Sequence, residues 1–267
     1  MVAPSLPHRY AGVVLDIDGV CVTGKTAIPG AAEAVARLRE AGAALLFATN
    51  NSTRTPERVA ALLTDAGIAA EASEVLTSSE AAAALLEPGT RCYVVGMEGL
   101  REPLAARGCV ITTDPFAAQA CVVGMDTRLT FAALADAALA IGAGARFVGT
   151  NPDTSFPTER GPVPGNGALL AALRTTTGVE PEIAGKPHAA LFDAAAARLP
   201  DGPRLMVGDR LDTDVAGAAA HGWDTALVLS GVTSAAAVEA SDVAPTYVAD
   251  DLAALVGDAG SPDAAGG

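Results

Sequence analysis

The apolar positions of this chain gather into short unbroken runs, each ending in a polar cluster and each followed by a segment with helical spacing. Residues 11–15, 43–48, 92–95, 120–123, 146–149, 205–207 and 225–229 read as strands. Runs of this length without polar alternation predict strands buried on both faces, as in a parallel sheet. Between them, helices are predicted over 29–41, 55–66, 81–86, 130–142, 167–177, 213–220 and 252–256. Val35 and Leu38 mark the inner face of the first and Gly42 its stop, while Pro56 opens the second at a first-turn position and Gly67 follows its end. Strands alternating with helices predict right-handed βαβ units. Near Thr77-Ser78-Ser79 this rhythm restarts, so residues 81–181 read as a second α/β unit inserted into a first made of 1–80 and 182–267. The tail from Gly257 to Gly267, rich in Gly, Ala, Asp and Pro, is expected to be disordered.

The polar clusters at the strand ends carry the candidate chemistry. Asp16-Ile17-Asp18-Gly19-Val20 places two carboxylates at the mouth of the first strand, where open α/β sheets keep their sites. Two acids so close, with no basic residue between them, are unfavourable unless a cation or a proton sits there. Three further clusters end or follow apolar runs: Thr49-Asn50-Asn51-Ser52, Lys186 between a glycine and a proline, and Gly208-Asp209-Arg210-Leu211-Asp212-Thr213-Asp214. Together they describe a Mg²⁺-dependent phosphate-transferring site. A carboxylate can attack phosphorus to give an aspartyl-phosphate, and Asp16 is the candidate nucleophile. Asp18 can serve as general acid for the leaving alcohol and then as base for water, with Gly19 letting the chain turn sharply after it. Mg²⁺ takes oxygen ligands and keeps several waters, so two carboxylates and a carbonyl suffice. Asp209 supplies the second carboxylate, and Asp214 is a further ligand or an outer support. Thr49, the backbone around Asn50 and Asn51, and the Lys186 ammonium are candidates to hold the phosphoryl oxygens, whose charge such donors stabilise.

Composition narrows the partners. Thirty-one acidic against 17 basic residues give a net charge of −14, which argues against nucleic acid and anionic membrane and makes a small phosphorylated metabolite depend on local compensation. Lys25 and Lys186 are the only lysines. Cys21, Cys92, Cys109 and Cys121 lack metal-site spacing and read as small buried hydrophobes. With no signal core and no spanning segment, a cytoplasmic location is the expectation. His8, His188 and His221 read as surface or packing residues, since the chemistry needs none of them.

The combination resembles the haloacid dehalogenase superfamily, in its NagD-like subfamily with the p-nitrophenyl phosphatases. The resemblance runs to about Val256 and is carried by Asp16-Ile17-Asp18-Gly19-Val20, Thr49-Asn50-Asn51-Ser52, Gly149-Thr150-Asn151-Pro152-Asp153, Pro164-Gly165-Asn166-Gly167, Gly185-Lys186-Pro187, and the Gly208–Asp214 stretch followed by Leu229-Ser230-Gly231-Val232. It implies a Rossmann-like parallel-sheet core with an inserted α/β cap. It also implies Asp16 as nucleophile, and Asp18 as acid/base and, through its main-chain carbonyl, a Mg²⁺ ligand. Asp209 is then the other ligand, with Thr49, Asn50, Asn51 and Lys186 around the phosphate. Asn166 departs from the small or hydroxyl residue that related sequences often carry there, which bears on cap geometry rather than catalysis. The loop after Asn151 is where specificity is expected, with Asp153, Thr154 and Ser155 as candidates. Relatives can pair through their caps, so a homodimer is possible. The alternatives are phosphotransfer or mutase chemistry through the same intermediate, a non-enzymatic phospho-accepting domain, and a regulatory protein whose activity has decayed. A phospho-accepting domain is about half this length and carries no cap; nothing essential is missing for activity. Dehalogenation is disfavoured because it needs no Asp18.

Overall fold

The computed structural model describes residues 8–158 and 161–257; from residue 258 onward the expected disordered tail lies outside the described residues. Two compact units form. The first comprises Met1–Ala48, Val59–Val75 and Ala195–Gly267. Its parallel sheet runs in the order Tyr247–Ala249, Asp224–Val228, Arg204–Gly208, Gly12–Asp16, Ala44–Thr49, with Val75–Thr77 entering at the edge. All five residues of Gly12–Asp16 are buried, which is why that run shows no alternation. Helix Ala31–Glu40 buries Ala31, Ala34, Val35 and Leu38, the stripe its spacing predicts. These residues join Leu15, Phe47, Leu63 and Val207 in one apolar core.

Gly12–Asp16 is the strand at which the order reverses. The chain leaves it toward Ala44–Thr49 on one side and later lays Arg204–Gly208 on the other. Connections that part in this way open a crevice at the carboxyl ends of the two central strands. Leu15 lies opposite Val207, so Asp16 comes level with Gly208, and Asp209 follows one residue beyond at the same end of the sheet.

The second unit comprises Thr49–Arg58 and Leu76–Ala194. Its parallel sheet runs Glu182–Ile183, Arg146–Gly149, Ala120–Val123, Arg91–Val95, Val110–Thr112. Helices Phe131–Gly142 and Asn166–Thr177 supply Ala137, Ile141, Leu170 and Leu173 to a core with Tyr93, Cys121 and Phe147. Thr130 caps the first of these helices, its side chain accepting from Ala133 N.

Several elements depart from the sequence reading: helices Ala189–Ala196 and Ala235–Glu239 and strands Val75–Thr77, Val110–Thr112 and Tyr247–Ala249 are not predicted by it, and three further departures have a physical cause in view. Helix Glu98–Ala106 forms around Pro103, which argues against an uninterrupted helix; burial of Leu100 and Leu104 outweighs the missing donor. The segment after Asp153, part of the loop expected after Asn151, opens an antiparallel ribbon, Ser155–Thr158 with Gly161–Pro164. A two-stranded ribbon has only edges, where prolines are tolerated. The helix expected from Thr213 instead starts with one turn of π-helix, Leu211–Val215, and becomes α-helical over Ala216–Ala220. No helix among the described residues is long and apolar enough to cross a membrane. All four cysteines are buried and free. Burial pushes the thiols of Cys92 and Cys121 up to about 12, consistent with inert packing roles.

Candidate active site

The first unit supplies an acidic cluster at the crevice. Asp16 ends its strand, Asp209 follows Gly208 directly, and Asp214 sits in the π-helical turn. Each offers a carboxylate oxygen, and the three oxygens lie within 4.8 Å of one another. Their residues are 9%, 2% and 1% exposed. At that separation each charged pair repels by about 3.5 kcal/mol at an effective dielectric of about 20, so the cluster is suited to a cation. An all-oxygen, hard donor set fits Mg²⁺ rather than a thiol- or imidazole-loving metal.

The local structure fixes these carboxylates. Asp209 is wedged between two glycines. A Cβ on Gly19, which has φ +85°, would come within 2.5 Å of Asp209 Oδ2, and a Cβ on Gly231 would fall on the same carboxylate. Val232 N donates to Asp209 Oδ2 at 2.7 Å, and Ser230 Oγ donates to the carbonyl of Gly19 at 2.7 Å. The Ser230–Val232 loop thus clamps Asp209 and the Asp18–Gly19 turn together. Asp214 leans on Gly208, whose Cβ would occupy the same space. Arg210 N donates to Asp214 Oδ2 at 3.1 Å, and Val215 N reaches back five residues to Arg210 O at 3.2 Å. That five-residue closure is the π turn, a device common at functional sites. It brings the Asp214 carboxylate to Arg210 N and against Gly208. Asp18 stands apart from the three: it is exposed, in a turn closed by Gly19 N to Val22 O at 2.8 Å.

The second unit carries the remaining candidates. Thr49 is 5% exposed, and its hydroxyl accepts from Asn51 N at 3.1 Å. Asn51 Oδ1 accepts from Thr53 N at 2.9 Å and from Thr53 Oγ1 at 2.7 Å, an Asx turn that shapes the loop. Asn50 and Lys186 meet through the Lys186 main chain, with Lys186 N to Asn50 Oδ1 at 2.8 Å and Asn50 Nδ2 to Lys186 O at 3.1 Å. Lys186 is 2% exposed. Asp153 N donates to Asn151 Oδ1 at 3.2 Å and its side chain is half-buried, while Thr154 and Ser155 are exposed.

Sequence reasoning missed the role of Asn166. Its Nδ2 reaches the carbonyls of Asn151 at 2.9 Å and Val123 at 3.2 Å and the Thr150 hydroxyl at 3.3 Å. It pins the Thr150–Asp153 loop to the sheet. The flanking glycines allow the close approach, since a Cβ on Gly165 or Gly167 would strike the main chain of residues 152–155. The readable signal was an amide held between two glycines at a helix start. Asn166→Ala is expected to lower stability by about 1–3 kcal/mol in urea unfolding, because it removes the amide that the buried Asn151 carbonyl accepts from at 2.9 Å, whereas Val123 O keeps its bond from Thr150 N at 2.9 Å.

Known proteins resemble this chain along nearly its whole length. A family model described as haloacid dehalogenase-like hydrolase matches residues 13–110, and a related hydrolase-like model of the same group matches 183–255. D-glycerol 3-phosphate phosphatase of Mycobacterium tuberculosis is 42% identical over 258 residues, covering 94% of this chain and 72% of the relative. Acid sugar phosphatase of Staphylococcus saprophyticus is 38% identical over 250 residues, covering 91% and 96%. The crystal structure of a glycerol phosphate phosphatase from Mycobacterium tuberculosis in complex with magnesium superposes with TM-score 0.88 at 40% identity, covering 94% of this chain and 78% of that one.

Proposed function

The chain belongs to the haloacid dehalogenase-like hydrolases, and we propose that it is a Mg²⁺-dependent phosphatase hydrolysing a small phosphomonoester through an aspartyl-phosphate on Asp16. The observation that carries this is the set of three buried carboxylates at the strand-order reversal, one of them ending the central strand. The relatives, one a D-glycerol 3-phosphate phosphatase and one an acid sugar phosphatase, support a small polyol or sugar ester; glycolate and nucleotide phosphates are further small phosphomonoesters that the same reading covers. The magnesium-bound relative supports the metal.

In this reading residues 1–80 and 182–267 are the catalytic core and 81–181 the cap. Asp16, Asp209 and the Asp18 carbonyl would hold the ion, with Asp214 beside them, and the bound ion would offset the charge of the carboxylates and the ester. An Asp16 oxygen attacks phosphorus while the bond from phosphorus to the alcohol oxygen breaks, and Asp18 gives its proton to that oxygen. Asp18 then takes a proton from water as the water oxygen bonds to phosphorus, releasing inorganic phosphate and restoring the Asp16 carboxylate. The exposure of Asp18 suits proton exchange with solvent. Thr49, the main-chain N–H groups of Asn50 and Asn51, and the Lys186 ammonium are assigned to the phosphoryl oxygens. Four free thiols suit a reducing cytoplasm.

The test is phosphate release from a panel of phosphomonoesters with Mg²⁺, with and without added alcohols as acceptors. Release with no transfer product is the expected result; dominant transfer would make the enzyme a phosphotransferase, and silence on every ester would overturn the reading. Asp153→Ala run on the same panel should reorder substrate preference by about 10-fold or more while leaving an aryl phosphate little changed, the size of one lost polar contact in a specificity pocket. Equal losses on all esters would mark Asp153 as structural.

A further inference from the structure

Lys186 must aim a buried ammonium from a loop, between strand Glu182–Ile183 and helix Ala189–Ala196. A loop residue has no ladder to hold its main chain, so something else must supply both partners. One side chain does. Asn50 Oδ1 accepts from Lys186 N at 2.8 Å while Asn50 Nδ2 donates to Lys186 O at 3.1 Å, so a single amide pairs with both main-chain groups of one residue. Asn50 is itself anchored: its carbonyl accepts from Ser78 Oγ at 2.7 Å and from Asn151 Nδ2 at 2.7 Å. The preceding Gly185 leaves room for the clasp, since its Cβ would come within 2.6 Å of Asn50 Oδ1 and of Thr150 O. Gly185 N closes the other side by donating to Thr150 O at 2.7 Å. The second contact of Asn50 Nδ2 is Asp153 Oδ1 at 3.5 Å. Both amide hydrogens are therefore directed at protein acceptors, and a phosphoryl oxygen needs a donor that is still available.

We infer that the Asn50 side chain is a positioning residue that acts on the reaction through Lys186, and that it does not itself bind the phosphoryl group. This rests on the phosphatase reading above. It divides the Asn50–Asn51 segment: main-chain N–H groups toward the ester, the Asn50 amide toward the lysine loop. The same amide joins the Lys186 loop to the Asn151–Asp153 loop, so the charge that meets the phosphate and the loop that meets the leaving group share one support.

A double-mutant cycle tests this. Wild type, Asn50→Ala, Lys186→Ala and the double variant are compared on an aryl phosphate with Mg²⁺, with circular dichroism and thermal midpoints recorded for each. Asn50→Ala is expected to lower kcat by about 100-fold, the cost of misplacing a reacting group by about 1 Å, with KM little changed. In the Lys186→Ala background the same change should cost less than about twofold, the usual error of additivity. Equal losses in both backgrounds would overturn the inference, because Asn50 would then act without the lysine. An undiminished Lys186→Ala rate would overturn it as well. Should Asn50→Ala fail to fold, Asn50→Asp takes its place: it keeps the acceptor for Lys186 N and loses the donor to Lys186 O. An inactive wild type would remove the phosphatase reading and this inference with it, whereas an active wild type with multiplicative losses removes the inference alone.

Discussion

Asp16→Asn is expected to abolish phosphate release, by at least about 10³-fold, in a protein that folds as the wild type does. Losing the nucleophile removes the step that divides one difficult displacement into two, and such losses are among the largest single substitutions produce. The change is nearly isosteric and falls at the end of a fully buried strand, so backbone pairing with Ala48 is kept. It also takes one negative charge out of a cluster whose oxygens lie within 4.8 Å of one another. The metal-free variant should therefore be at least as stable as the wild type. Phosphate release, measured beside circular dichroism and thermal melting, separates lost chemistry from lost folding. Acid quenching of the wild type during turnover should trap phosphate on the peptide that carries Asp16. Wild-type rates in the variant would refute the nucleophile assignment.

Removing divalent metal is expected to stop turnover and to lower the thermal midpoint. With Mg²⁺ at about 100 times its dissociation constant, binding to the folded chain alone adds about 2.7 kcal/mol. For a chain of this size that is roughly 5–10 °C, at about 2–4 °C per kcal/mol. Melting in excess Mg²⁺ against melting in chelator reads this directly. Asp209→Asn should erase most of the difference. Its remaining amide oxygen can still accept from Val232 N, as Oδ2 does now at 2.7 Å, so the Ser230–Val232 loop keeps its anchor while a ligand charge is lost. Equal midpoints and undiminished phosphate release with and without chelator would remove the metal from the mechanism.

How far the chain could be read from its sequence depended on the range of the forces involved. Strands Ala120–Val123 and Arg146–Gly149 and helix Leu252–Val256 begin and end where their apolar runs predict, because burial of a short run and a nearby turn residue are local signals. Helix Glu98–Ala106 was hidden because its evidence is tertiary. Leu100 and Leu104 are fully buried, and Gly99 lies so close to the main chain of Thr53–Arg54 that a Cβ would collide with it. Pro103 pointed the other way. The π turn was equally unreadable: nothing in residues 211–215 distinguishes it from an α-helical start, and only the contact of Asp214 with Gly208 and with Arg210 N does so.

The candidate site divides along the same line. By itself the sequence determined which residue types stand at the ends of buried strands, and hence that carboxylates, small polar groups and one lysine are available for phosphoryl chemistry. Alternation of apolar runs and helices was enough for a parallel α/β fold, since both periodicities are set within a few residues. Only the tertiary structure decided that Asp214 joins Asp16 and Asp209 as an equal member of the buried cluster while Asp18 stays exposed to solvent. It also decided that the Asn50 amide is spent on the main chain of Lys186, and that Asn166 ties down the Thr150–Asp153 loop. These are pairings between residues up to 198 positions apart, as 16 and 214 are. The choice of partner at such separations is made by packing and hydrogen-bond satisfaction in the folded chain, which no local pattern encodes.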